Sequence, residues 1–101
     1  MEGITEMKTT LMVNDIVIPL NDFTQAFLGN VLRGMALSLG SRSNDVGFNI
    51  DVNEMTLYSD DTNIEIKEES KRLMMVSTVR GMLSSIKGVV WLERVTLTTR
   101  E

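Results

Sequence analysis

The sequence predicts an α+β fold in two layers: an antiparallel sheet with two helices on one face, in the order ββαβββαβ. Three observations predict it. Two segments, Phe23–Leu39 and one running from Glu68 to Lys87, repeat their apolar residues at intervals of three and four, the mark of a helix with one buried stripe. Most of what lies between them alternates apolar and polar residues in short runs bounded by polar turns, the mark of half-buried strands. The triplet Arg-Gly-Met occurs twice, at Arg33–Met35 and Arg80–Met82, and a serine follows each three residues later, at Ser38 and Ser85. The copies stand 47 residues apart (80 minus 33), which suggests a pseudo-repeat of one ββαβ unit over 11–52 and 55–99. At 101 residues with no linker, both halves share one domain and one core.

The elements follow in order. Residues 1–8 are expected to be flexible. LMVNDIVIPL (Leu11–Leu20) holds two β-rich runs around Asn14-Asp15, a two-residue hairpin turn, with Pro19 ending the second run. Asn21 or Asp22 caps the first helix, and Gln25 stands three residues after Asp22 as in a capping box. The helical stripe comprises Phe23, Phe27, Leu28, Val31, Leu32, Met35 and Leu39, and Gly40 takes the left-handed position that stops a helix. Val46–Val52 is a strand with one wet face, and Met55–Ser59 and Asn63–Lys67 form a hairpin around Asp60-Asp61. The second helix carries Met75, Val79, Met82, Leu83 and Ile86 to a stop at Gly88. The last strand lies within Val89–Thr99, with a bulge expected near Glu93 where the parity of its apolar residues changes. A ferredoxin-like βαββαβ sandwich is the alternative if either hairpin is one continuous strand.

Asn30, Gly34 and Ser38 form an i, i+4 row on the first helix, and Ser77, Gly81 and Ser85 form the matching row on the second. A glycine in mid-helix costs about 1 kcal/mol against alanine. Two at matching places point to a close helix contact, within the chain or across a dimer. Arg33 and Arg80 beside these rows read either as a pseudo-symmetric pair of ligand- or anion-binding cations or as two solvated helix arginines. Trp91 follows the second helix stop, where a partly covered amphipathic ring suits an interface.

Composition excludes several classes. With 14 acidic and 10 basic residues the net charge is −4, and the only close basic group, Lys67, Lys71 and Arg72, is interrupted by Glu68 and Glu69. A nucleic-acid partner is therefore not expected. No run reaches the roughly 18–20 apolar residues of a membrane span, so no membrane partner is expected. There is no cysteine and no histidine, which removes disulfides, thiol nucleophiles, histidine triads and zinc sites, and points to a cytoplasmic setting. Asp60-Asp61 reads as a turn, because the oxygen ligands and the glycine of a calcium loop are missing. No catalytic residue, metal or cofactor is expected, and the chain does not read as an enzyme.

VNDIVIPLNDFTQAFLGNVLRGMALSL (Val13–Leu39) resembles a pattern found in small uncharacterised prokaryotic proteins: a hairpin, Ile-Pro-Leu-Asn, an aromatic, and an amphipathic helix ending in Ser-Leu. GMLSSIKGVVWLERVTL (Gly81–Leu97) is similar to the helix end and last strand of the same pattern, as though two copies had been fused. The chain departs from it at Asp15, where the hairpin glycine belongs, and lacks Ile-Pro-Leu-Asn before the second helix. The resemblance implies no activity. The expected role is a non-enzymatic interaction or oligomerisation module acting as a homodimer or with a protein partner. A small-ligand or anion-sensing regulatory domain is the alternative.

Overall fold

Two pairs of residues with positive φ set the layout of the sheet. Asn14 (φ 50°) and Asp15 (φ 67°), and likewise Asp60 (φ 50°) and Asp61 (φ 65°), adopt the left-handed conformation. Asn and Asp tolerate it best among non-glycine residues. Two such residues in succession make a turn whose twist matches that of the strands it joins. The structure is a computed structural model describing residues 8–51, 54–86 and 94–100. In it β1 (Lys8–Val13) folds back on β2 (Ile16–Ile18), and β4 (Glu54–Ser59) on β5 (Thr62–Ile64). With α1 (Asp22–Ser38), β3 (Val46–Asp51), α2 (Glu69–Leu83) and β6 (Arg94–Arg100), the order is ββαβββαβ. The six strands form one antiparallel sheet in the order β2-β1-β6-β3-β4-β5. Both hairpins are broken by their turns, so the six-element alternative does not apply.

Some boundaries move. β1 begins at Lys8, not Leu11, because β6 extends to Arg100 and offers Lys8, Thr9 and Thr10 ladder partners. Of the segment expected to be flexible, Lys8 is thus a strand residue, and 1–7 lie outside the described residues. β5 stops at Ile64, short of the expected Lys67. α2 ends at Leu83, ahead of the expected Lys87. There the Ser84 and Ser85 hydroxyls donate to the carbonyls of Gly81 and Met82, at 2.8 Å each, competing for groups that would continue the helix. Gly88, Trp91 and the bulge expected near Glu93 lie outside the described residues.

The ends of α1 are firmly made. Asn21 Oδ1 accepts from the Thr24 amide at 2.8 Å. Gln25 does not complete a capping box. Its Nε2 donates to the Leu20 carbonyl at 3.2 Å, and its Oε1 accepts from the Thr9 amide at 3.4 Å, tying the helix to β1. At the other end the amides of Gly40 and Ser41 donate to the carbonyls of Leu37 and Ala36, both at 2.9 Å. That pattern needs a left-handed residue, and Gly40 (φ 86°) supplies it.

Burial alternates along the strands. Thr9, Leu11 and Val13, then Val46, Phe48 and Ile50, then Val95, Leu97 and Thr99 all face one side. Leu28, Leu32 and Ala36 of α1 and Met75, Val79 and Leu83 of α2 join the same cluster, so both helices cover that face. The opposite face carries Asn49, Asp51 and Thr56, half-buried or exposed. Phe23 and Phe27 do not belong to the buried stripe: they are 75% and 49% exposed.

Exchanging the two halves leaves the strand order unchanged, with β2 for β5, β1 for β4 and β6 for β3. The turns stand 46 residues apart (60 minus 14), and the buried helix positions 47 apart (75 minus 28). The registers of β1 on β6 and of β4 on β3 then match if the last strands stand 49 apart (97 minus 48). Phe48 and Leu97, matching by that offset, are direct partners in the central β3–β6 pair. Because Asp61 keeps φ at 65° in an exposed turn, Asp61→Gly removes that strain. It is expected to raise the stability read by urea unfolding, by about 0.5 kcal/mol. A loss would show that the Asp61 side chain holds the turn.

Candidate functional site

The residues singled out by the repeated triplet all lie on or near the outside. Asn30, Gly34, Ser38, Ser77, Gly81 and Ser85 are exposed, and a Cβ built on Gly34 or Gly81 meets nothing within 4 Å. The close helix contact expected at these glycines therefore does not form within the chain. At 100° per residue, Gly34 lies about 200° around from buried Leu32, and Gly81 the same from Val79, so both rows face away from the sheet. Phe27 and Leu28 instead line a groove of about 400 Å³ with Met82 and Ile86.

The two arginines are not brought together. Half-buried Arg33 donates from Nε and Nη2 to the Asn44 carbonyl, at 3.1 and 2.9 Å, and so anchors the loop after α1. That loop is also fixed by Ser41 Oγ and Ser59 Oγ, 2.6 Å apart. Arg80 is exposed, and its guanidinium makes no hydrogen bond or ion pair with the described residues. It lines a separate cleft of about 580 Å³ between α2 and the β3–β4 end of the sheet. Ile50, Met55, Leu73 and Val76 give this cleft apolar walls, and Glu54, Glu69 and Arg72 share its rim with Arg80. A joint anion site built on Arg33 and Arg80 is thus not formed.

Sequence periodicity missed the outer face of α1. Phe23 and Phe27 stack there with ring centroids 5.9 Å apart and planes 14° from parallel. From Phe23 to Ser38 the exposed positions are Phe23, Ala26, Phe27, Asn30, Gly34, Leu37 and Ser38, and none is charged. On α2, Leu73 and Met74 are also exposed. Among the described residues there is no group of three or more side chains suited to a metal, and no helix is long and apolar enough to cross a membrane. The only signal in the sequence for the aromatic face was Phe23 and Phe27 themselves.

No family model, characterised protein or solved structure matches this chain.

With open space around both glycines, the helix-propensity gain is unopposed. Gly34→Ala and Gly81→Ala are each expected to stabilise the monomeric chain by about 1 kcal/mol in urea unfolding at low protein concentration. Lower stability in either variant would mean that the site is crowded within the chain.

Proposed function

We propose that the protein is a non-enzymatic interaction module that pairs with a second copy through the outer face of its helical layer. The observation that carries this reading is the uncharged exposed face of α1, with its stacked Phe23 and Phe27 and exposed Leu37. In a chain with 24% charged residues, such a face is a marked departure from the rest of the surface. Interface cores are depleted of charge and enriched in aromatics and methionine. A two-fold interface sets a surface against its own copy, so a charged patch there meets like charge. This face avoids that repulsion even though the chain carries −4.

The small residues acquire a use in the same arrangement. Asn30, Gly34 and Ser38, with open space above the glycine, let a partner helix come close. We take Ser77, Gly81 and Ser85 beside exposed Leu73 and Met74 as the same surface on a second copy of one ββαβ unit. The shared Arg-Gly-Met triplet and the matching turns support that. A cytoplasmic setting belongs to the same proposal, since a chain without cysteine needs no oxidising compartment.

At micromolar concentration the chain is expected to sediment at twice its 11.3 kDa mass. Phe23→Asp with Phe27→Asp is expected to weaken association at least about 30-fold, the equivalent of about 2 kcal/mol. The far-UV circular dichroism should stay unchanged, because both rings are already exposed. A wild-type chain that stays monomeric at about 100 µM would overturn the proposal, since that corresponds to binding weaker than about 5–6 kcal/mol.

A further inference from the structure

The two helices dock differently on a frame that otherwise matches. α1 lies close to β1, β3 and β6, whereas α2 stands farther from the sheet. On α1 the flank is sealed at buried Gly29. Beside it, Thr9 Oγ1 donates to the Gln25 carbonyl at 2.8 Å and lies 3.0 Å from Thr99 Oγ1. The offsets that relate the two halves carry Gly29 to Val76, Thr9 to Met55 and Thr99 to Ile50. All three replacements are larger, and none can donate to a helix carbonyl. They line the cleft under α2. Its opening follows from these three side chains.

We propose that this cleft binds a small zwitterion with an apolar side chain, an α-amino acid of the leucine or methionine kind. Its volume of about 580 Å³ falls within the range of roughly 300–1,000 Å³ usual for ligand sites. Ile50, Met55 and Val76 offer the apolar contact. Glu54, Glu69 and Arg80 form no ion pair with one another or with other described residues. Arg72 is partly committed, donating to the Ile66 carbonyl at 2.7 Å. A simple anion entering here meets two carboxylates, and a simple cation meets two guanidinium groups. A ligand with both charges satisfies both, its carboxylate at Arg80 and its ammonium at Glu54; Glu69, about 16 Å from Arg80 along α2, stays on the rim. Exposed ion pairs contribute little individually, so the apolar contact supplies most of the affinity and the charges supply the selection.

The test uses the full chain with L-leucine, L-methionine, 4-methylpentanoate (leucine without its ammonium) and 3-methylbutylamine (leucine without its carboxylate). The amino acids are expected to raise the melting temperature and to shift the amide resonances of Ile50, Met55 and Val76. The acid and the amine should each bind at least about tenfold more weakly. Arg80→Gln and Glu54→Gln, both at exposed positions, should melt like wild type without ligand and lose the response. Arg42→Gln, in a different cleft, should keep it. The Phe23→Asp, Phe27→Asp variant should bind as wild type does, which separates this site from self-association. No response at about 10 mM, where mass action reveals even weak binding, would overturn the proposal. So would equal binding of the acid alone, or a response that survives Arg80→Gln.

Discussion

The constraint on which the rest depends is the antiparallel pairing of β3 with β6 at the centre of the sheet. β1 finds its long partner in β6 and β4 finds its own in β3, so each hairpin is completed by the last strand of the other half. Neither half holds a sheet of more than two strands by itself, and an isolated two-stranded hairpin is marginal in water. Phe48 and Leu97 meet across the central pair, and both are fully buried. Truncating a buried phenylalanine costs about 3–5 kcal/mol, a large share of the roughly 5–15 kcal/mol that holds a domain folded. Both helices rest on the face that this pair creates, so every surface feature outside it is positioned by the same contact.

Much of the fold was legible because its determinants are local. Asn14-Asp15 and Asp60-Asp61 announced their turns, Gly40 announced a helix stop, and alternation from Val46 gave the inner face of β3. The placement of Phe23 and Phe27 in the buried stripe failed for a geometric reason. Each step of four residues turns a helix by 400°, so an i+4 series drifts by about 40° a step. From Phe23 to Met35 that drift reaches about 120°, enough to carry Phe23 out of the core. Gly34 and Gly81 illustrate the complementary error. Their row is regular, but it lies about 200° around the helix from the row that meets the sheet.

The candidate site was less legible because it depends on correspondences that change along the chain. The Arg-Gly-Met triplet gives a single offset of 47, which aligns Thr9 with Thr56 on the wrong face of the sheet. The hairpin turns stand 46 residues apart, and strand register, pairing Leu11 with Leu97 and Leu57 with Phe48, sets a spacing of 49 between the strands they pair with. With them, Thr9 aligns with Met55 and Thr99 with Ile50, and the contrast between a sealed flank and an open one becomes visible. The arginines teach the same lesson. Arg33 and Arg80 are identical in local sequence, yet Arg33 is committed to the Asn44 carbonyl, a contact set by the course of a loop with no local signature.

The unequal docking of the helices divides their work. α1 has a side-chain cap at Asn21, a closed C-terminal turn and the Thr9–Gln25 bridge to β1. A helix so held can present Phe23, Phe27 and Leu37 in a fixed arrangement, which lowers the entropy cost of pairing with another surface. α2 has no side-chain cap at Glu68. Segments with fewer such tethers open at lower free energy than the global fold. A ligand bridging Arg80 to Glu54 would span α2 and β4 and tie the two together. Under the two proposals, the helix that is already fixed offers the surface, and the helix that is less fixed carries the ligand site.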